Sequence, residues 1–234
     1  MSKAESLDQL VADQLQAALR GAVIGREIIL LEETGSTNDA IWGIASREGM
    51  PFMREGLVVF AEHQTAGRGQ RGNRWESTAG KGLWFSILLR PRIPVGDSGR
   101  LTIWAIHTMS EVIRTEFALE PAIKLPNDVR LLGRKVAGVL VEMRAQDEAP
   151  HLAVVGIGIN VNQCAHDFPV DLQDRAISLA MALGRQVERH NFALALLRNF
   201  DRTYREGFLK GVRFNSSPAP TTTRDKRVAK FPRV

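Results

Sequence analysis

Residues 57–61 and 83–89 are short runs rich in Val, Leu, Ile and Phe, and a polar segment separates them whose centre reads Gly67-Arg68-Gly69-Gln70-Arg71-Gly72-Asn73-Arg74-Trp75. The apolar runs suit buried strands. A connection of about 20 residues with no structural pattern of its own marks a functional loop in a compact chain. Its glycines let the backbone approach a ligand and present N–H donors, and Arg68, Arg71 and Arg74 supply planar cationic forks for carboxylate or phosphate. The spacing Gly67-x-Gly69-x-x-Gly72 also matches the dinucleotide fingerprint. That fingerprint requires a helix opening after the glycines and an acidic residue about 20 positions on. Here residues 73–80 read as loop and Arg92 stands between Pro91 and Pro94. A Rossmann site is therefore a weak alternative, and no Walker A sequence is present.

The rest of the chain supplies a frame for that loop. Leu7, Leu10, Val11, Leu15 and Leu19 recur near helical spacing behind a Ser6-x-x-Gln9 capping box, which predicts an amphipathic first helix. Residues 27–31 read as a strand. Ser36-Thr37-Asn38-Asp39 reads as a capped helix start with Ala40, Ile41, Ile44 and Ala45 as its buried stripe, ending near Gly49-Met50-Pro51. A long helix is expected over 101–117, with Leu101, Trp104, Ile113 and Phe117 inward. Short strands follow at 122–125, 136–143 and 152–161, with a hairpin-like connection at 131–134, and then helices at 174–183 and 188–210. Helices scattered among clustered strands with short turns predict an α+β fold: a mixed, largely antiparallel sheet flanked by helices.

Composition removes several classes of function. With 44% hydrophobic and 24% charged residues the chain is not disordered as a whole. No apolar run approaches the ~20 residues of a membrane span, and the start MSKAESLDQL has no apolar signal core. The single cysteine, Cys164, cannot form an internal disulfide, which fits a reducing cytoplasm. The net charge of +5 invites a nucleic-acid partner. However, Arg224, Lys226, Arg227, Lys230 and Arg233 against Asp225 place +4 of it in the last eleven residues. From Asn215 the Ser-, Pro- and Thr-rich composition reads as a flexible basic tail, so a nucleic-acid module rests on that tail alone.

Three further segments carry chemistry. Each has a bland reading when taken singly. Lys124-Leu125-Pro126-Asn127-Asp128 is turn chemistry at a strand end. Gly133 to Glu142 sets Lys135 at the mouth of an apolar strand. In Gly156-Ile157-Gly158-Ile159-Asn160-Val161-Asn162, alternating glycines bare one strand face for close approach. Taken together and in order with Ser36-Thr37-Asn38 and the loop at 67–75, these segments resemble the catalytic domain of the biotin–protein ligases, across residues 36–162. The resemblance implies the class II synthetase-like fold of the biotin/lipoate ligases, with residues 1–212 as catalytic domain and 213–234 as tail.

It implies a two-step acyl transfer: biotin and Mg²⁺-ATP give biotinyl-5′-AMP, and a lysine of a biotin carboxyl carrier domain, such as that of acetyl-CoA carboxylase, displaces AMP. By that resemblance Ser36, Thr37, Asn38 and Gln64 serve the biotin ring, Gly67 and Arg68 flank its carboxylate, and Gly138 and Gly158 make room for the bicycle. Lys135 and Arg68 handle the reacting anions, and Asp128 orients or deprotonates the incoming lysine. Arg68, Gln70, Arg71, Trp75, Asn127, Lys135 and Asn160 fall to the nucleotide. No protein-held metal is expected, because the five histidines show no ligand spacing.

The chain also departs from the family pattern. Gln70 and Asn73 stand where the family often has Arg, and Leu125 stands where it has Trp. With 35 residues before Ser36 and 27 after Gly207, neither an N-terminal winged helix nor the usual C-terminal β-barrel is expected, and hence no operator binding. A homodimer through an exposed sheet edge stays open. So do a lipoate or octanoyl ligase of the same superfamily and a biotin-binding protein that does not ligate.

Overall fold

The computed structural model describes residues 8–49, 54–147 and 150–209. The proposed cap Ser6, the stop at Met50-Pro51, Lys210 and the tail from 213 lie outside the described residues. In chain order the elements are α1 (Ala12–Ala18), β1 (Glu27–Thr34), α2 (Thr37–Glu48), β2 (Leu57–Gln64), β3 (Gly82–Leu89), α3 (Gly99–Phe117), β4 (Ala122–Lys124), β5 (Asp128–Leu131), β6 (Arg134–Arg144), β7 (Leu152–Asn160), α4 (Leu179–Leu183) and α5 (Arg189–Tyr204). The strands form one sheet in the order β1-β2-β3-β7-β6-β5-β4. β1 and β2 pair in parallel, because α2 carries the chain back across the sheet between them. The neighbouring pairs β2/β3, β3/β7, β7/β6, β6/β5 and β5/β4 are antiparallel. The expected α+β architecture with a mixed, largely antiparallel sheet is therefore the one found.

The two faces of the sheet are treated differently. On one, Phe60, Leu83, Phe85, Ile87, Val155 and Ile157 pack against Leu101, Trp104 and Ile113 of α3 and Leu196 and Phe200 of α5. On the other, Ile41, Trp42 and Ala45 of α2 cover Leu57, Val59, Leu88 and Val154. One twelve-residue helix cannot cover a seven-stranded face. Beyond its N-terminus the sheet presents Ser86, Gly156, Gly158 and Gly138, and the site lies there.

Three expectations are corrected. The first helix begins at Ala12 with no side-chain cap, and Gln9 and Leu10 precede it outside any helix. Asp8 holds this segment, accepting from the Arg189 backbone N–H (2.7 Å) and from Asn162 Nδ2 (3.0 Å). Residues 174–178 are not helical. The Lys135 N–H donates to the Arg175 carbonyl (2.8 Å) and the Ile177 N–H to the Lys135 carbonyl (3.0 Å), so a strand-like bridge beside β6 takes the place of the first turn of the expected helix. α4 starts only after Ser178, whose hydroxyl accepts from the Met181 N–H. The last helix ends as α at Tyr204 and continues as a π-turn over Arg205–Leu209.

The buried Arg189 fastens the N-terminal segment to the sheet. Its side chain, 5% exposed, pairs with Asp8 (3.1 Å) and Glu62 (2.6 Å) and donates to the Gly82 carbonyl (3.2 Å). Removing one partner of such a cluster leaves carboxylates uncompensated. Arg189→Met is expected to cost about 3 kcal/mol and lower the melting temperature by roughly 10 °C. A calorimetric or circular-dichroism melt within 2 °C of wild type would contradict this role.

Candidate active site

The floor of the site is a row of cross-strand partners. Trp84 on β3 pairs with Gly158 on β7, Gly158 with Gly138 on β6, and Gly138 with Asp128 on β5. Side chains opposite one another in an antiparallel ladder share a face. The row therefore reads as a fully buried indole, two bare glycines and a carboxylate. Gly156, two residues from Gly158 on the same face, is already covered: a Cβ there would lie 3.0 Å from Asn38 Cγ.

The loop at 67–75 folds over this floor as a two-stranded flap. The Trp75 N–H donates to the Gly67 carbonyl (2.9 Å) and the Gly69 N–H to the Asn73 carbonyl (2.7 Å), with Arg68 and Arg74 bridged between them. At the tip Arg71 (φ 58°) and Gly72 (φ 78°) are both left-handed, as the primed turns of tight hairpins demand. The Asn73 N–H (3.2 Å) and its side-chain Nδ2 (2.8 Å) both donate to the Gln70 carbonyl. The two positions that depart from the family's arginines thus close the turn on each other. Gly67 is required sterically, since a Cβ would stand 3.2 Å from Gln64 Nε2 and closer still to the Trp75 carbonyl.

Trp75 lies on the two glycines. A Cβ on Gly158 would stand 2.7 Å from Trp75 Cζ2, and one on Gly138 would stand 3.0 Å from Cζ3. The indole meets Trp84 edge-on at 6.0 Å and has the Lys135 ammonium 5.1 Å from its ring centre. Its Nε1 is buried without an acceptor among the described residues, at a cost of about 1–3 kcal/mol. With the indole in place the cleft has a volume of about 30 Å³, room for a water or two.

Ser36, Thr37, Asn38, Gln64, Arg68, Trp75, Asn127, Lys135, Gly138 and Gly158 come together as lining of this cleft. Thr37 donates to Gln64 Oε1 through its N–H (2.9 Å) and its hydroxyl (3.2 Å), and Gln64 Nε2 donates to Ser77 Oγ (3.1 Å). Ser86 Oγ lies 2.7 Å from Thr37 Oγ1 and 2.6 Å from Asn38 Oδ1. Lys135 Nζ pairs with Asp128 Oδ1 at 2.7 Å. Asn127 locks β6 in place, donating to the Val139 carbonyl (3.0 Å) and accepting the Val139 N–H (3.1 Å).

Other expected residues stand elsewhere. Gln70 and Arg71 sit at the flap tip. Asn160 is buried beneath the segment at 176–178, donating to the Ile177 carbonyl (3.2 Å). Sequence reading passed over Ser77, Ser86, Asp39 and Glu142. The first two are unremarkable hydroxyls on a loop and a strand. The other two sit on exposed-looking positions of an amphipathic helix start and a strand end, and only the tertiary contact with Arg68 singles them out.

Behind the flap, Lys81 Nζ pairs with Asp167 (2.7 Å), which also accepts the Cys164 backbone N–H (2.8 Å) and thiol (2.9 Å). Burial pushes the Asp167 carboxyl up, but the thiol, ammonium and backbone donors outweigh it and hold it at about 2. The hydrogen bond to Asp167 raises Lys81 above its ordinary value.

Residues 32–160 match the biotin/lipoate A/B protein ligase family. The chain is 34% identical over 203 residues to the bifunctional ligase/repressor BirA of Bacillus spizizenii, covering 87% of this chain and 61% of that protein. It is 33% identical over 196 residues to the biotin–[acetyl-CoA-carboxylase] ligase of Mycobacterium tuberculosis, covering 80% and 69%. The chain thus spans about three fifths of the length of the Bacillus relative. Among solved structures, the Aquifex aeolicus biotin protein ligase in complex with biotin and ATP superposes with a TM-score of 0.63 at 30% identity, over 80% of this chain and 75% of that one. On these matches the chain belongs to the biotin/lipoate A/B protein ligase family.

Proposed function

We propose that this chain attaches biotin to a lysine of a biotin carboxyl carrier domain at the expense of ATP, through biotinyl-5′-AMP, in the cytoplasm. The observation that carries the reading is the glycine floor between Trp84 and Asp128, with Lys135 beside it and amide and hydroxyl groups at its far end. The floor accepts a flat, fused ring as Trp75 moves off it. Ser36, Thr37 and Gln64 offer the ring's ureido group both donors and acceptors. In the first step a biotin carboxylate oxygen bonds to the α-phosphorus of ATP and pyrophosphate leaves. Lys135 offsets the two anions that must meet. In the second step the carrier lysine's amine bonds to the acyl carbon, AMP leaves, and the amine's proton passes to a carboxylate within reach, for which Asp128 is placed.

Among the described residues no group of three or more His, Cys, Asp or Glu side chains is arranged to hold a metal. Mg²⁺ is read as entering with the ATP phosphates, as part of the substrate. Trp75, Asn127 and Lys135 lie where the nucleotide meets the acyl group, and Gln70, Arg71 and Asn160 are the outer candidates. Closure of the flap excludes water from the mixed anhydride.

Biotin-dependent ATP–pyrophosphate exchange tests the reading. Biotin supports exchange, and lipoate and octanoate do not. Exchange with lipoate or octanoate instead would reassign the acyl group. Biotin binding with no exchange would make the chain a binding protein.

A further inference from the structure

A second cleft lies on the face of the sheet opposite the glycine floor, where α1 and α5 pack side by side. Leu15 and Leu19 of α1 and Leu196 and Phe200 of α5 belong to the core on that face. The end of α1 meets the second half of α5 around an open hollow of about 400 Å³, a volume in the range of small-molecule sites. Its floor is made of small residues, Ala18, Gly21 and Ala22. Arg20 stands on one wall and Arg198, Arg202 and Arg205 on the other, and among the described lining residues Asp201 is the one acid.

Asp201 does not neutralise the hollow, because both of its oxygens are committed to the protein. Oδ1 accepts the backbone N–H groups of Val23 (2.7 Å) and Ile24 (3.0 Å), and Oδ2 pairs with Arg205 Nε at 2.9 Å. Arg205 also donates to the Gly21 carbonyl, and Arg202 donates to Glu206 (3.3 Å) and to Asn199 Oδ1 (3.1 Å). Cations near the C-terminal ends of helices answer the dipole there, and these contacts explain Arg202 and Arg205. They do not explain Arg20 and Arg198. Both are exposed, and neither has a hydrogen bond or ion pair among the described residues.

A guanidinium with no partner keeps all five N–H donors in a planar fork that fits phosphate oxygens in pairs. Arg198 and Arg202 stand one helical turn apart, about 6 Å along the axis, so linked phosphates engage more of these arginines at once than a single phosphate does. We propose that the hollow between α1 and α5 is a binding site for an oligophosphate, two or three linked phosphates, either free or as the tail of a nucleotide. A nucleic-acid backbone would need the cations to continue past the hollow, and Glu206 closes the row beside Arg202 and Arg205. The site stands on the opposite face of the sheet from the reaction cleft, and it does not rest on the ligase reading.

Titration of the full chain with sodium tripolyphosphate at low salt, followed by ¹⁵N–¹H spectra, tests the site residue by residue. The amide signals of Arg20, Gly21, Ala22 and Arg198 are expected to shift together and saturate, with inorganic monophosphate binding about tenfold more weakly. Arg20→Gln combined with Arg198→Gln removes both free forks and keeps good helix formers in place. Its affinity for tripolyphosphate falls about tenfold or more, with the melting temperature within about 2 °C of wild type, as for exposed side chains without partners. Titration with GTP separates the two sources: tighter binding than tripolyphosphate at the same amides assigns a nucleotide, and weaker binding assigns the free oligophosphate. Shifts confined to the reaction cleft around Lys135 and Gly138 overturn the proposal, and so does an affinity unchanged in the double variant. Monophosphate or sulfate binding as tightly as tripolyphosphate also overturns it. A single-stranded oligonucleotide that binds more tightly than tripolyphosphate, with shifts running along α5 beyond the hollow, assigns the surface to nucleic acid instead.

Discussion

Lys135→Ala is expected to lower biotin-dependent ATP–pyrophosphate exchange by about 10²–10³-fold at saturating substrates, the usual effect of deleting one electrostatic contact to a developing charge. Lys135 sits at the start of β6, where its backbone N–H and carbonyl both bond to the segment at 175–177. Its ammonium is paired with Asp128 and covered by Trp75. Because that hold is made by backbone groups, the alanine variant keeps the strand and loses only the charge. Asp128 retains a more distant partner in Arg130, at 3.9 Å. The variant is thus expected to melt normally. Exchange at wild-type rate would show that another group meets the two anions and would remove Lys135 from the mechanism.

Gly158→Val should abolish biotin binding while leaving the protein folded. A branched side chain raised from the middle of the floor occupies the space that Trp75 takes here, and its Cβ alone stands within 2.7 Å of the indole. Valine suits a strand interior better than glycine does, so the sheet itself gains while the cleft is lost. The expected signature is a fall in biotin affinity of about 10²-fold or more, little change in melting temperature, and a red-shifted tryptophan emission as Trp75 is pushed into water. Titration calorimetry with biotin at near-wild-type affinity would mean that the ring binds elsewhere.

Much of this architecture is written in local patterns. β2, β3 and β7 are buried nearly end to end, so they appear in the sequence as largely apolar runs, and the helix over Gly99–Phe117 keeps its inward stripe. What local pattern does not contain is the choice between competing partners. Residues 174–178 run straight into α4 and read as its first turn, yet the backbone N–H and carbonyl of Lys135 recruit them into a bridge. β5 is only four residues long and draws its stability from β4 and β6, so its own sequence announces little beyond a turn.

The site divides in the same way. The Gly- and Arg-rich loop and the alternating glycines stand out by spacing and residue type, whereas the role of Lys135 was legible only through the ordered set of segments that resembles the ligase family. The pairing of Arg68 with Asp39 and Glu142 was not legible at all, because those carboxylates are 29 and 74 positions away from it. No local feature marks them as its partners.

The two-glycine floor also sets a rule of selection. Adjacent strands lie about 4.8 Å apart, so the bare ground is two strands wide, with a wall of indole on one side and a carboxylate on the other. The gap beneath the flap is one aromatic thickness, as its present occupant demonstrates. A site of that shape gauges candidates by flatness and breadth before it reads any polar group. A narrow, linear acyl chain would leave half the floor wet, whereas a fused bicycle covers it.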